Sequence, residues 1–376
     1  MKTIPFIDTH EELLLKTYHD LHALAEPSWE EKHTSAYICQ CLENAGISYK
    51  TFSHHYGIVA EIPGDSKQVV ALRADMDALV QEVDGTIKPN HSCGHDAHST
   101  MVLFAARAIA ASDIKPKHTL RFIFQPAEEK GEGALQMMED GAIDHVTYLF
   151  GVHVRPNTEV PYFKASPVIV HGAAATFTGT IKGLQAHAAR PKDGINVLQA
   201  AALLIQKLQQ INLDISVPYS IKMTQLNTEN EASNVIPETA FFTLDARAQT
   251  NEVMTELKRH TEELTAKIME LTEAKISMSV VESVPAATLN KTAMRIAESA
   301  IASILGKENV VPTCISHGGE DFHYYTTENP RIMGTMIGLG CDLSPGLHHP
   351  QMKFNPDALI YGAKILTQTL LLASEQ

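Results

Sequence analysis

The sequence predicts an α/β protein of two domains, one inserted into the other. Its 376 residues exceed the size of one ordinary compact core. Before residue 164, strand-like apolar runs alternate with helical periodicities, as in a sheet covered by helices. A β-α-β-β-α-β pattern then follows. We therefore expect a first domain from 1–167 and 283–376, with 168–282 inserted into it.

The first domain shows the periodicities of helices and buried strands. Helical spacing of apolar residues appears over 9–24, 30–45, 99–112, 289–304 and 356–373. The runs "YGIVAEI" and "QVVALRAD" predict two strands, and the turn residues "PGDSK" between them predict a hairpin. Further strands are predicted at "HTLRFIF" and "YLFGVHV", each ending in a polar segment. Polar clusters at strand ends can converge at one edge of an α/β sheet.

The inserted segment has the texture of a ferredoxin-like α+β unit. The runs "ATFTGTIKG", "AFFTLDARAQ" and "KISMSVV" predict strands with one exposed face, and 194–211 and 251–271 predict the two helices. This order of elements fits a small antiparallel sheet with both helices packed on one face.

Composition excludes several classes of protein. Hydrophobic residues make up 44% and charged residues 20%, which is the balance of a globular protein with a sizeable core. The net charge of −14 repels phosphate backbones and anionic lipid surfaces, so we expect neither a nucleic-acid nor a membrane partner.

The N-terminus and the cysteines indicate the compartment. The first 24 residues hold no long apolar run, and no segment approaches the ~18 apolar residues of a transmembrane helix. Five cysteines form neither an even nor a dense set, so we expect reduced packing residues rather than a disulfide framework. Both observations predict a soluble cytoplasmic protein.

The stretch "HSCGHDAHS" at 91–99 raises the question of a metal site. Cys93 and His95 lie in a polar turn before a predicted helix, and both are good ligands for zinc and similar divalent metals. The alternative is a capping turn in which Asp96 or Ser99 accepts backbone N–H groups. A redox site is disfavoured because no C-x-x-C pair is present.

Three further segments carry side chains suited to metal chemistry. Glu128 and Glu129 follow an apolar strand, where one carboxylate could bind a metal and the other act as a base. His153 ends another apolar strand, and His348 lies in a loop bounded by glycine and proline. Taken singly, a solvated acidic loop or a packed histidine explains each. Their joint occurrence with Cys93 and His95 supplies enough ligands for two metal ions.

The order of motifs resembles the M20 metallopeptidase family in its amidohydrolase branch, M20D. The motifs that carry the resemblance are "RADMDAL", "HSCGHDAH", "QPAEE", "GVHVRP", "AHAARP", "SNVIPE", "GGEDF" and "LHHP". They extend from about residue 21 to 350. The branch includes N-acyl-amino-acid deacylases (aminoacylases), carboxypeptidase-like enzymes and auxin-conjugate hydrolases. The resemblance implies a catalytic α/β domain with a zinc-peptidase-like sheet and an inserted domain that mediates homodimerisation.

The resemblance also implies roles for individual residues. Glu128 takes the role of general base and acid, and Asp75 and Asp77 are expected to be supporting acids of the metal centre, with strand-end capping as the alternative. The implied ligands of a two-metal centre are Cys93, His95, Glu129, His153 and His348.

The inserted domain would supply the substrate contacts. The resemblance assigns His187 to the oxyanion or substrate, and Asn234 and Arg247 to the substrate carboxylate, for which the fork of arginine donors is suited. Without the resemblance, Arg247 would be an ordinary strand residue. The role of Glu320 in "HGGEDF" stays open.

The expected function is metal-dependent hydrolysis of the amide bond in N-acyl-amino acids, by a metal-activated water with Glu128 as base. Zinc fits the mixed ligand set best, and manganese, nickel and cobalt are compatible with it. An M20-type dipeptidase or carboxypeptidase, acting on short peptides, is the alternative enzyme. A noncatalytic metal-stabilised binding protein is the alternative from another class, although it would need no spare carboxylate beside Glu129.

Overall fold

The computed structural model describes residues 3–213, 216–230 and 232–376. The predicted ranges 1–167 and 168–282 include residues 1–2, 214–215 and 231, which lie outside the described residues. By internal contacts the chain divides into two compact units. Unit 1 comprises Met1–Val170, Thr288–Ile315 and Asp321–Gln376, and unit 2 comprises His171–Ala287 and Ser316–Glu320.

Helices and strands alternate along the described chain. The α-helices are α1 (Thr3–Thr9), α2 (Glu11–Ala23), α3 (Lys32–Asn44), α4 (His95–Ala110), α5 (Gly133–Glu139), α6 (Val197–Leu208), α7 (Asn251–Thr272), α8 (Lys291–Leu305), α9 (Phe322–Thr327) and α10 (Ala358–Ser374). The strands are β1 (Ser48–Thr51), β2 (Ile58–Ile62), β3 (Ser66–Asp75), β4 (Leu79–Val83), β5 (Thr86–Asn90), β6 (His118–Gln125), β7 (Val146–Pro156), β8 (Ala165–Ser166), β9 (Ile169–His171), β10 (Ala173–Lys182), β11 (Ala186–His187), β12 (Tyr219–Thr228), β13 (Val235–Ile236), β14 (Thr239–Ala248), β15 (Lys275–Val284), β16 (Cys314–Ser316) and β17 (Met333–Leu343).

Unit 1 is built on a mixed sheet in the order β1-β2-β6-β3-β7-β17-β8. Its centre is parallel, since β3 pairs in parallel with both β6 and β7, and β17 pairs in parallel with β7. The central strands are near-continuous apolar runs because both faces of the sheet are covered. In β3, Val70 and Leu72 pack with α4 and α10 residues on one face, while Val69 and Ala71 belong to the core on the other.

The predicted hairpin of β2 and β3 is wrong. Strand β6 lies between them, antiparallel to β2 and parallel to β3. The physical reason is that β3 is buried on both faces from Val69 to Asp75, which suits a central strand with neighbours on both sides. A hairpin that was not predicted forms instead between β4 and β5, joined through Asp84 and Gly85, both of which adopt positive φ.

Unit 2 contains a four-stranded antiparallel sheet in the order β12-β14-β10-β15. Numbered along the unit, this is strand order 2-3-1-4, and α6 and α7 follow its first and third strands, as the ferredoxin-like prediction requires. Residues such as Phe177, Phe242 and Leu257 form a core between the sheet and the helices. The unit begins and ends at adjacent residues, because the N–H of Ala287 donates to the carbonyl of His171 at 3.0 Å.

None of the helices among the described residues combines the length and the apolar character that crossing a lipid bilayer requires.

Candidate metal centre

The site of unit 1 lies at the carboxyl ends of its parallel strands. Strand β3 ends at Asp75 and is followed by Asp77, β6 ends at Gln125 shortly before Glu128 and Glu129, and β7 carries His153 near its end. Since these strands run in parallel, their carboxyl ends meet at one edge of the sheet. The fold thereby brings together side chains that are far apart in sequence.

Cys93 and His95 face the same point because of the glycine between them. Gly94 precedes the first residue of α4 and adopts φ 89°, a conformation that glycine accepts at little cost. A Cβ at this position would lie 2.5 Å from the Cγ2 of Val154. The start of α4 lacks a side-chain cap, so the predicted alternative of a capping turn through Asp96 or Ser99 does not describe it.

The tautomer of His95 directs one ring nitrogen into the site. Its Nδ1 lies 3.0 Å from the carbonyl oxygen of Asp77 and 3.1 Å from its Oδ1, so Nδ1 carries the proton and donates to these acceptors. The neutral ring then has its lone pair on Nε2, which is buried and has no hydrogen-bond partner among the described residues. A buried acceptor without a partner is what a metal ligand looks like before the cation is added.

His153 and Cys93 stand beside this nitrogen. The Nδ1 of His153 donates to the carbonyl of Val154 at 2.7 Å, which places the lone pair of the neutral ring on Nε2. That nitrogen lies 3.5 Å from the Sγ of Cys93. The ligand atoms of Cys93, His95 and His153 all lie within 4.8 Å of one another, and all three residues are buried.

Two carboxylates and the exposed His348 complete the group. Glu129 has one oxygen 3.8 Å from His95 Nε2 and the other 3.6 Å from His348 Nε2. The Oε2 of Glu128 lies 3.7 Å from His95 Nε2. The ligand atoms of Cys93, Glu129 and His348 also lie within 4.8 Å of one another.

This group of side chains fits divalent metal ions. Sulfur, imidazole nitrogen and carboxylate oxygen bind zinc at about 2.0–2.3 Å, so ligand atoms around one ion are separated by less than 5 Å, as here. The Oε1 of Glu129, like the Nε2 of His95, is buried without a hydrogen-bond partner among the described residues. Two such orphaned acceptors facing each other at 3.8 Å are explained by a cation between them.

The electrostatics of the metal-free site point the same way. Burial raises the pKa of the Cys93 thiol well above its usual range and raises the pKa of Glu129 to about 7. Burial also lowers the pKa of His153 far below its usual value. The site therefore disfavours the charged forms of its own groups, and bound cations would favour the thiolate and the carboxylate.

Asp77 supports the site from beneath, whereas Asp75 acts at longer range. Beyond its contact with His95, Asp77 accepts hydrogen bonds at Oδ2 from Ser28 Oγ (2.7 Å) and from the N–H of Glu129 (3.0 Å). The Oδ1 of Asp75 is 4.0 Å from His95 Nε2 and 2.7 Å from His98 Nδ1.

His98 is not a ligand in this arrangement, although it lies close to the site. Its Nδ1 donates to Asp75, and its Nε2 accepts the N–H of Val154 at 3.0 Å. Both ring nitrogens of the neutral side chain are thus engaged. A similar argument applies to His55 in a second group with His54 and Asp140. The Nδ1 of His55 accepts the N–H of Gly57, so its Nε2 carries the proton that it donates to Asp140.

A buried charge network next to the site was not predicted from the sequence. The guanidinium of Arg73 is fully buried and donates to Asp75 Oδ2 (2.5 Å), Asp321 Oδ1 (2.6 Å) and Gln125 Oε1 (2.8 Å). Asp321 also accepts from the side-chain amide of Gln125 and from the N–H of Ala134. The signal in the sequence was an arginine and two acids within otherwise apolar or glycine-rich runs. The network joins β3, β6, α5 and the loop before α9.

Glu31 holds the backbone that precedes Glu128. Its Oε1 accepts the N–H of Trp29 (3.0 Å) and the N–H of Ala127 (2.9 Å), and both of these residues adopt positive φ. The Oε2 of Glu31 is buried without a hydrogen-bond partner among the described residues. Burial raises the pKa of Glu31 to about 7, and the charge of Asp77 adds to this effect.

The expected substrate contacts belong to unit 2. His187 is exposed on β11 and its Nδ1 accepts the N–H of Ala189, while the exposed Asn234 accepts the N–H of Ala188 at its backbone carbonyl. Arg247 lies on β14 and donates to Asp245 through Nε and Nη2. Glu320 is buried in the same unit.

Comparison with known proteins identifies the family. The model of peptidase family M20/M25/M40 matches residues 71–372. An N-acetyl-L-cysteine deacetylase of Bacillus subtilis is 30% identical over 375 residues, covering 96% of this chain and 88% of the relative. An indole-3-acetic acid (IAA)-amino acid hydrolase of Arabidopsis thaliana, named ILR1-like 2, is 31% identical over 369 residues, covering 94% and 83%.

A solved structure supports the same conclusion. The YXEP protein of Bacillus subtilis, described as a dinuclear metal-binding peptidase of family M20, superposes with a TM-score of 0.83 at 26% identity, covering 98% of this chain and 99% of that one. The chain belongs to peptidase family M20. It is a metal-dependent hydrolase of amide bonds with a two-domain α/β fold, as the resemblance implied.

Removing the buried guanidinium should strongly destabilise the fold. Arg73→Met leaves Asp75 and Asp321 buried without their counter-charge, so we expect the free energy of unfolding to fall by about 3–5 kcal/mol. Denaturant unfolding followed by circular dichroism measures this. Lys16→Met, which breaks the exposed ion pair with Asp20, is the control and should change stability by at most about 1 kcal/mol. Equal losses in the two variants would contradict the network's importance.

The buried Glu31 should make stability depend on pH in a defined direction. The pKa of Glu31 in the folded protein, about 7, lies above its ordinary 4.5. Its contribution to stability is therefore complete below pH 4.5 and is lost as the pH rises through about 7. In metal-free protein, the stability of the wild type relative to Glu31→Gln should decline across this window. Glu30→Gln, at an exposed neighbouring position, should give a flat difference, and a flat difference for Glu31→Gln would refute the assignment.

Proposed function

We propose that the protein hydrolyses N-acyl-amino acids, releasing an amino acid and an acyl group. The observation that carries this proposal is a spare carboxylate. Glu129 lies between His95 and His348 at ligand distances, while Glu128 stands beside the same group with an oxygen 3.7 Å from His95 Nε2. A purely structural metal site has no need for a second carboxylate of this kind. The deacetylase and conjugate hydrolase among its relatives support the substrate class.

The proposed centre holds two divalent cations. Its ligands would be Cys93, His95, Glu129, His153 and His348, the same set that the sequence predicted. Zinc suits a site with one thiolate, three imidazoles and a carboxylate, and manganese, nickel or cobalt could occupy it. When bound, the cations would polarise the scissile carbonyl and make a water molecule more acidic.

Glu128 would transfer the protons of the reaction. In the proposed mechanism its carboxylate takes a proton from the attacking water and then gives it to the leaving amine. The buried wall formed by His95, His153 and Cys93 keeps bulk water from the reacting carbonyl, which strengthens the electrostatic interactions there. The bond of Glu31 to Ala127 fixes the backbone immediately before Glu128.

Unit 2 would bind the rest of the substrate. We assign His187 to the oxyanion, and Asn234 and Arg247 to the free carboxylate of the amino acid, by the match of their motifs to the family. The guanidinium of Arg247 is half exposed and already paired with Asp245, so its charge is available at the surface of the unit. An acidic protein can bind an anionic substrate through such a local positive group.

We further propose that the protein is a cytoplasmic homodimer that associates through unit 2. The five cysteines are all free, as expected in a reducing compartment. The dimer is inferred from the family resemblance. Size-exclusion chromatography with light scattering would measure the mass directly, and a monomer would overturn this part of the proposal.

A substrate panel tests the proposed function as a whole. Metal-free protein is reconstituted with zinc, manganese, cobalt or nickel and assayed against N-acetyl-amino acids, longer N-acyl-amino acids and dipeptides. Hydrolysis of N-acyl-amino acids with higher kcat/KM than dipeptides supports the proposal. Preference for dipeptides would indicate the peptidase alternative, and no hydrolysis with any metal would indicate a binding protein.

Replacing the proposed base should separate catalysis from metal binding. Glu128→Gln keeps the shape of the side chain but cannot accept the proton, so we expect kcat to fall at least ~100-fold with metal content unchanged. Activity assays and elemental analysis of the same preparation measure both. Glu139→Gln, at an exposed position on α5, should retain full activity. Full activity of Glu128→Gln would reject Glu128 as the base.

Removing the thiol should act on the metal instead. Cys93→Ala takes away a ligand atom that belongs to both groups of the site, so metal content after dialysis should fall. Cys41→Ala is a matched control, because Cys41 packs on α3 away from these groups. Unchanged metal occupancy in Cys93→Ala would remove this residue from the ligand set.

A further inference from the structure

His348 differs from the other proposed ligands in how it is held. Its side chain is 55% exposed, whereas those of His95 and Glu129 are 0% and 9% exposed. Packing therefore fixes the buried ligands but not His348. The residue also adopts φ 62°, a left-handed conformation that non-glycine residues disfavour, so something must stabilise its backbone.

Two hydrogen bonds hold the backbone of His348 from opposite sides. Its N–H donates to the carbonyl of Ser92 at 2.7 Å, next to Cys93. Its own carbonyl accepts a hydrogen bond from the side-chain Nε2 of Gln81, also at 2.7 Å. The peptide units on both sides of the Cα are thus tied to the segment from Gln81 to Ser92.

The amide of Gln81 is oriented by its other partners. Its Oε1 accepts from Ser92 Oγ at 2.8 Å and from Asn90 Nδ2 at 3.1 Å. Asn90 Nδ2 also donates to the carbonyl of Pro350 at 3.1 Å, which fixes the direction of the Asn90 amide. Turning the Gln81 amide over would bring its NH₂ against the Asn90 NH₂, so only one orientation satisfies all four groups.

We infer that Gln81 is a positioning residue for the metal centre: the β4–β5 hairpin, through this amide, holds His348 at 3.6 Å from Glu129. The inference rests on the proposed function in that it takes His348 to be a ligand. The hairpin itself contributes no ligand, and its role is to join the turn that carries Cys93 to the loop that carries His348. The cation bound by Cys93, Glu129 and His348 should depend on it, and the cation bound by His95 and His153 should not.

The test uses the metal-free full chain titrated with Zn²⁺ by isothermal calorimetry. Gln81→Glu keeps the acceptor for Ser92 and Asn90 but replaces the donor to His348 with an oxygen that repels the carbonyl, and Gln81→Met removes both functions. In each variant we expect one of two zinc affinities to fall 10–100-fold, the range for losing a group that orients a metal ligand. The other affinity and the melting temperature of the metal-free protein should stay at the wild-type values.

Ile87→Glu is the matched control, since it adds the same charge to an exposed position on the same hairpin and should bind both ions as the wild type does. His348→Ala should lose the weaker ion altogether. Two wild-type affinities in both Gln81 variants, with one ion lost in His348→Ala, would overturn only the positioning role. Two wild-type affinities in His348→Ala itself would overturn the ligand assignment in the proposed function. Equal weakening of both ions with a lowered melting temperature would show a general structural role and reject the inference.

Discussion

The carboxylate of Asp77 is the constraint on which the rest of the site depends. It accepts hydrogen bonds from the His95 ring, from the hydroxyl of Ser28 and from the backbone N–H of Glu129. One side chain thereby fixes the tautomer of a proposed ligand, the position of a second one and the loop that packs beneath both. Burial alone raises the pKa of Asp77, but these hydrogen bonds and the charge of His95 lower it overall. The residue therefore stays ionised and keeps accepting from all three.

Sequence reasoning succeeded where strand ends carry reactive side chains. Cys93, His95, Glu129, His153 and His348 were predicted to converge because parallel strands share one carboxyl edge, and the structure brings them within ligand distance. The order of helices and strands in the ferredoxin-like unit also follows from periodicity, and the strand pairing confirms that unit. Substrate contacts are a different case, since exposed residues such as His187 and Arg247 leave no burial signal in a single sequence.

The failures have physical causes. A turn between two strand-like runs predicts a hairpin, but pairing depends on which strand is buried on both faces, and β6 enters between β2 and β3 from a distant part of the chain. The Arg73 network and the Gln81 amide went unnoticed because each joins segments that are separated by hundreds of residues. Periodicity reports local structure, and it carries no information about which polar groups pair across a fold.

The bond between His171 and Ala287 has a consequence for how such a chain is put together. The polypeptide leaves unit 1 and returns to it at neighbouring residues, so the whole ferredoxin-like unit is topologically equivalent to a long surface loop. The entropy of closing a loop grows only slowly with its length, so the parent unit incurs little additional cost for carrying a folded body instead of a short turn. Chains of this architecture can therefore acquire, exchange or enlarge the inserted body as a cassette, while the sheet that holds the metal ligands keeps its strand order.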